Sequence, residues 1–197
     1  MGESLIDEKI GDFERLANPT VGLAAHAGIV DVRIAAKAGS VGKADSMIAK
    51  VETQIRQRLG EAIFGADEDT LEGKALDALL HRGWNLAVVE SGLDGALMQR
   101  LAGTQHPAWL GGETLKNLDE GKLLDALHAA RQARHASIAL GVRLTIEGEG
   151  QNIHIVLISP LGVKERRLTY GGHPKNAPRW AANMALDWLR LTSGEGK

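Results

Sequence analysis

A chain of 197 residues with a net charge of −2 and 24% charged residues can bury a core in one medium domain or two small ones, and its charge gives no bias toward nucleic acid or a membrane surface. It contains no cysteine, which excludes disulfides, thiolate catalysis and cysteine-ligated zinc or iron–sulfur centres. The opening Met1-Gly2-Glu3-Ser4-Leu5-Ile6-Asp7 is acidic rather than signal-like, and no apolar run approaches the roughly 20 residues that cross a bilayer, so a soluble cytoplasmic protein is expected.

Leu5, Ile6, Ile10, Phe13 and Leu16 recur at helical spacing and predict an amphipathic helix over 3–16, broken by Asn18-Pro19. Strands are predicted over 20–25 and 29–35, joined by His26-Ala27-Gly28. In the second, Val30, Val32 and Ile34 alternate with Asp31 and Arg33 as in a half-buried strand. After a loop at 39–42, Met47, Ile48, Val51, Ile55 and Leu59 mark one face of a helix ending near Gly60, and 61–65 reads as a third short strand. Helix, hairpin, helix and strand make a small α+β unit over 1–66, close to the lower size limit for a core that stands alone.

A second pattern starts at Asp67-Glu68-Asp69-Thr70, whose acidic and capping residues precede Leu71, Ala75, Leu76, Leu79 and Leu80. That helix ends at His81-Arg82-Gly83. A strand over 86–89, a loop and a helix over 95–102 follow. The stretch 106–113, with Pro107 and Gly111-Gly112, reads as irregular. A helix over 119–133 carries Leu123, Leu124, Leu127 and Ala130 on one face. Strands are predicted over 137–146, 152–159 and 163–170, the last two forming a hairpin about Pro160-Leu161-Gly162. A final helix over 177–191 is amphipathic through Trp180, Met184, Leu186, Trp188 and Leu191, and 193–197 reads as a loose tail. Alternating helices and strands predict an α/β class, with a layered α/β domain over 67–197 behind the α+β unit.

Within that domain, Leu86-Ala87-Val88-Val89-Glu90-Ser91-Gly92-Leu93-Asp94-Gly95 reads as strand, tight loop and helix start. Such a loop aims backbone N–H groups and the positive end of the helix dipole at its contents, which favours anions, and it sets the Ser91 hydroxyl at the mouth. A serine after a strand is also a common helix cap.

The order of segments resembles the CinA (competence/damage-inducible protein A) family. Residues 2–10, Asn18-Pro19-Thr20-Val21-Gly22-Leu23 and Gly28-Ile29-Val30-Asp31-Val32-Arg33-Ile34-Ala35-Ala36-Lys37 are similar to its KH-like middle region, and Ala62-Ile63-Phe64-Gly65 with Asp67-Glu68-Asp69-Thr70 to its junction. Ala87-Val88-Val89-Glu90-Ser91-Gly92-Leu93-Asp94-Gly95 resembles the Ala-Glu-Ser-Cys-Thr-Gly-Gly motif that opens the family's C-terminal nicotinamide-nucleotide amidohydrolase domain. The resemblance implies an absent N-terminal, molybdopterin-binding-like domain and a serine nucleophile paired with a lysine. It puts Ser91 at the serine, Glu90 and Gly95 at matching positions, and Gly92-Leu93-Asp94 in place of Cys-Thr-Gly. Gapless counting from Trp109 puts Lys122 at the lysine position, although Lys122 also suits the start of the next helix.

The family's Tyr-Ser-Asn-Glu-Ala-Lys segment has no clear counterpart; Leu110-Gly111-Gly112-Glu113-Thr114-Leu115-Lys116-Asn117-Leu118 stands there. Its Gly-Ile-Ala-Gly-Pro loop is replaced by Leu144-Thr145-Ile146-Glu147-Gly148-Glu149-Gly150. Asp94 at a helix start satisfies the dipole itself and repels phosphate. The expectation is therefore a degenerate amidohydrolase domain that binds a nucleotide-like small ligand or a partner, through Glu90, Gly92, Asp94 and Gly95, without efficient catalysis. An active enzyme deamidating nicotinamide mononucleotide through Ser91 is the alternative. No cofactor, metal or membrane partner is expected, and a homo-oligomer, a dimer, is. Gly39-Ser40-Val41-Gly42 satisfies the Gly-x-x-Gly with which KH domains clamp nucleic acid, but Lys37 and Lys43 are its only nearby bases, so nucleic-acid binding is the least favoured reading. The seven histidines lack His-x-x-x-His spacing, and the four tryptophans read as core or interface anchors.

Overall fold

The computed structural model describes residues 2–147 and 150–194, and the chain divides into two compact units, Met1–Phe64 and Gly65–Lys197. In the first, β1 (Thr20–His26) and β2 (Ile29–Ala35) pair antiparallel from Thr20↔Ala35 to His26↔Ile29. Only Ala27-Gly28 joins them, at φ 50° and 83°. Two left-handed residues make a type I′ turn, whose twist matches that of the flanking strands. Alanine adopts this conformation at a cost that asparagine escapes, so Ala27→Asn is expected to stabilise this unit by about 1 kcal/mol, read as a higher denaturation midpoint.

Helices α1 (Glu3–Glu14) and α2 (Val41–Leu59) supply the rest of its core. Ile6, Ile10 and Phe13 of α1 meet Val51, Ile55 and Leu59 of α2 over Val21, with Leu23, Val30, Val32 and Ile34 of the hairpin packed against them. Asn18 extends the ladder: its Nδ2 donates to the Lys37 carbonyl at 2.8 Å and its Oδ1 accepts from the Lys37 N–H at 2.9 Å. Arg58 of α2 donates to the Lys9 carbonyl at 3.0 Å, grips the Asp12 carboxylate with both terminal nitrogens and stands 4.3 Å over the Phe13 ring. The strand expected over 61–65 is not formed. A 3-10 turn, Gly60–Ala62, follows α2 instead, and Ile63 is apolar because it packs on this core rather than because it pairs.

The second unit is a five-stranded sheet in the order β4-β3-β5-β6-β7. Its strands are β3 (Leu86–Ser91), β4 (Trp109–Leu115), β5 (Ile138–Glu147), β6 (Gly150–Ser159) and β7 (Gly162–Tyr170). Strand β3 is parallel to both β4 and β5, while β6 and β7 extend the sheet antiparallel. Helix α3 (Leu71–Leu80) is capped by the Thr70 hydroxyl, which accepts the Gly73 N–H at 3.1 Å. Helix α4 (Ala96–Gly103) carries the chain from β3 to β4, and α5 (Leu123–Ala133) carries it back past β3 to β5.

The period-two alternation of the strands sorts the layers. Val89, Ala139, Val156 and Ile158 face α5 through Leu123, Leu127 and Ala130. The opposite face is covered by α4 and by α6 (Ala177–Gly194), with α3 packed on α6. Because α4 leads from β3 to the strand on one side and α5 returns past β3 to the strand on the other, the β3/β5 boundary is a topological switch point, where open α/β sheets bind ligands beyond the strands' carboxyl ends.

Three expectations are corrected here. The stretch 106–113 is not irregular; most of it belongs to β4. Trp109 lies opposite Leu86 and Gly112 opposite Val88, so a bulge absorbs the intervening residues. A Cβ on Gly112 would stand 2.3 Å from the Val88 carbonyl oxygen, so the glycines let this edge strand close on β3 rather than break it. The buried stripe of α6 is Ala181, Ala182, Ala185, Leu186 and Leu189, whose small side chains allow close approach, and Trp180, Met184 and Trp188 are half-buried at its margin. Ser193, expected in a loose tail, is buried in α6; the end of that stretch, 195–197, lies outside the described residues. Among the described residues no helix is long and apolar enough to cross a membrane.

Candidate functional site

At the carboxyl end of β3, alternation sends Glu90 and Ser91 to opposite faces of the sheet. Glu90 is fully buried. Its Oε2 accepts the N–H groups of Leu97 and Met98, at 3.1 and 3.2 Å, and its Oε1 accepts the Thr114 hydroxyl at 3.1 Å. Leu97 and Met98 are the second and third residues of α4, so the chain's own carboxyl group takes donors that the loop was expected to offer an external anion. Asp94 was expected to satisfy the dipole; it is exposed, at φ 52°, and Gly95, at φ 86°, caps α4 without a side-chain bond. Gly92 has a steric reason. At φ 76°, a Cβ there would stand 2.1 Å from the Leu144 carbonyl oxygen of β5. Leu93 is buried below the loop.

Ser91 faces the α5 side and is nearly buried. Its Oγ accepts the Leu118 N–H at 3.3 Å, while Arg143 Nε donates to the Leu118 carbonyl at 2.6 Å. One residue of the β4–α5 connection, Leu118, is thus held through its N–H by β3 and through its carbonyl by β5. Lys122 closes the 3-10 turn Glu120–Lys122 before α5; its side chain is 71% exposed and its ionic partner is Asp119, at 3.8 Å. Among the described residues no hydrogen bond joins Lys122 to Ser91, and Lys116 is exposed. Glu90, Gly92, Asp94 and Gly95 share the loop with Ser91; Lys122 stands apart from it.

Strand register brings together residues that sequence reading missed. Ser91 lies opposite Arg143, Arg143 opposite His154, and His154 opposite Arg167, a row across four strands on the α5 side. His154 is 7% exposed, and its Nε2 meets Glu165 Oε2 at 3.0 Å. Arg167 pairs with Glu120 and, at 3.9 Å, with Glu165. The Arg167 hydrogen bond, followed by its charge, holds the Glu120 carboxyl below its ordinary value. The available signal was a histidine inside the apolar run 153–158, legible as a site only once the hairpin register is known. In the first unit, Gly39-Ser40-Val41-Gly42 forms the start of α2. Ser40 Oγ accepts the Lys43 N–H at 3.4 Å and Val41 is 77% exposed.

These features define a class: a doubly wound α/β unit with a serine-bearing strand–loop–helix at its switch point, joined in one chain to a small α-β-β-α unit. Residues 1–65 match the family model of the damage-inducible protein CinA KH domain. The chain is 42% identical over 213 residues to a CinA-like protein of Gloeobacter violaceus, covering 98% of this chain and 50% of that protein. It is 31% identical over 223 residues to one of Frankia casuarinae, covering 96% and 51%. A CinA superfamily protein from Klebsiella pneumoniae shares the fold at TM-score 0.58 and 16% identity, over 64% of this chain and 97% of that one. The competence/damage-inducible protein of Agrobacterium tumefaciens does so at TM-score 0.54 and 16% identity, over 68% and 99%. The chain belongs to the CinA family, and it spans about half the length of the curated relatives it matches.

Proposed function

We propose that the second unit is a CinA-type, nicotinamide-nucleotide amidohydrolase-like domain that binds a small ligand or a partner and does not hydrolyse amides efficiently. The observation that carries this reading is the use already made of the motif's polar groups. A serine nucleophile needs a base within hydrogen-bond reach and donors waiting for the developing oxyanion. Here Ser91 Oγ accepts the Leu118 N–H while, among the described residues, no base accepts its proton, Lys122 stands in solvent beside Asp119, and Glu90 accepts the amides of Leu97 and Met98. The loop's architecture is kept while its donors serve the fold.

The test is ammonia release from nicotinamide mononucleotide by the wild-type chain and Ser91→Ala, assayed side by side. Equal background release from both is expected. Release by the wild type that Ser91→Ala abolishes would overturn the reading in favour of an active amidohydrolase with Ser91 as nucleophile.

A further inference from the structure

We infer that the first unit docks a second copy of this chain along the open edge of β2, pairing β2 antiparallel with its own copy about a two-fold axis at Val32. The inference concerns the hairpin and stands whether or not the second unit binds a ligand.

Three observations carry it. The first is an open edge with its backbone groups aimed outward. Among the described residues the hairpin sheet holds β1 and β2 alone, so no strand lies on the far side of β2. The two-residue turn makes His26↔Ile29 a hydrogen-bonded pair, and such pairs alternate along the ladder. Ile29, Asp31, Arg33 and Ala35 therefore spend their backbone groups on β1, while Val30, Val32 and Ile34 direct theirs to the edge. The side chains of the same three residues pack on the core yet stay only partly buried.

The second is missing edge protection. Edge strands are commonly guarded by lysine, proline or a bulge. The ladder of β2 runs in unbroken register from Ile29 to Ala35, and the strand contains neither lysine nor proline. By contrast β7, an edge of the other sheet, carries Lys164, Arg166 and Arg167.

The third is charge complementarity, which fixes both occupant and register. With the axis at Val32, Val32 meets the partner's Val32 and Val30 meets the partner's Ile34, all at hydrogen-bonding positions. On the face away from the core, Asp31 then opposes the partner's Arg33 and Arg33 opposes the partner's Asp31. These are non-hydrogen-bonded positions, where side chains approach most closely. Moving the axis to Asp31 or Arg33 sets like charges together, and moving it to Val30 or Ile34 matches neither charge with the other. Within one chain the pair is loosely held. Asp31 stands 3.9 Å from Arg33 and 4.0 Å from His26, and among the described residues neither Asp31 nor Arg33 makes a side-chain hydrogen bond. The contact is isologous and closes on itself, joining the two hairpins into one continuous sheet.

The test is sedimentation equilibrium of the full chain at micromolar concentrations, comparing wild type with Asp31→Arg, Arg33→Asp and Val32→Pro. The wild type is expected to dimerise. Each charge reversal sets like charges against each other across the axis and is expected to weaken association about tenfold. An equimolar mixture of the two charge variants opposes unlike charges again and is expected to recover wild-type affinity, which a defect in folding could not do. Val32→Pro removes an N–H that points to the edge rather than to β1, so it is expected to leave a folded monomer. Should that variant fail to fold, the charge variants still decide, because the Asp31 and Arg33 side chains are 45% and 76% exposed. A monomeric wild type, wild-type affinity in both charge variants, or a mixture no tighter than either variant alone would each overturn the proposal.

Discussion

Glu90→Ala is expected to cost the second unit about 3 kcal/mol, because it strips an acceptor from two amides at the start of α4 and from the Thr114 hydroxyl. Leu97 is fully buried, so its N–H finds no water once the carboxyl is gone; Thr114 is exposed and rehydrates. The loss falls mainly on the amides, with a smaller part from the space left behind. Glu90→Gln separates hydrogen bonding from charge. Its amide oxygen still accepts from Leu97 and Met98, and its NH2 donates to Thr114 Oγ, so only the attraction between carboxyl group and helix dipole is lost, about 1 kcal/mol. Denaturant unfolding of the three proteins measures both. A glutamine variant as unstable as the alanine variant would mean that hydrogen bonding does not account for the burial of Glu90.

Removing Arg100 is the other large effect. Its guanidinium donates to Glu72 Oε2 of α3 and to Asn183 Oδ1 of α6, both at 2.6 Å, and so ties three helices on one face of the sheet. Glu72 has a side chain only 16% exposed. Arg100→Met keeps the apolar stem but strands that carboxylate, at an expected cost of about 3 kcal/mol. Burial alone pushes the Glu72 carboxyl up; the Arg100 hydrogen bond, the Glu72 backbone N–H and the Arg100 charge outweigh it and hold it below its ordinary value. A carboxyl lowered in the fold contributes stability above its unfolded pKa and loses it as pH falls through the folded one. The gap between wild type and Arg100→Met should therefore be widest near neutral pH and narrow below about pH 4. A gap that stays constant down to acid pH would assign the cost to packing rather than to the pair.

Much of the architecture was legible because local chemistry and tertiary packing agree. Ile6, Ile10 and Phe13 repeat at helical spacing and are the buried face of α1; Val30, Val32 and Ile34 alternate and pack inward from β2. Legibility failed where an apolar or glycine signal had a tertiary cause. Ile63 suggested a strand but packs as a loop residue, and Gly111-Gly112 suggested a break but permits an edge strand to close on Val88. The site was half legible for a related reason. Glu90 and Ser91 were visible as neighbours in sequence, but alternation gives them different surroundings. Nothing in the chain's order shows that Arg143 lies opposite Ser91 and His154 opposite Arg143, because that row is made by strand register.

The start of α4 is occupied from within, by the Glu90 carboxyl group. That occupancy is tested most directly by following the backbone amide signals of Leu97 and Met98 while the 15N-labelled protein is titrated with nicotinamide mononucleotide. Both are expected to stay in place in the wild-type chain, whatever else moves, because Glu90 already accepts from their N–H groups. Saturable movement of both amides in the wild type, matching that of a Ser91 signal, would show a ligand anion seated at the helix start in place of the Glu90 carboxyl group.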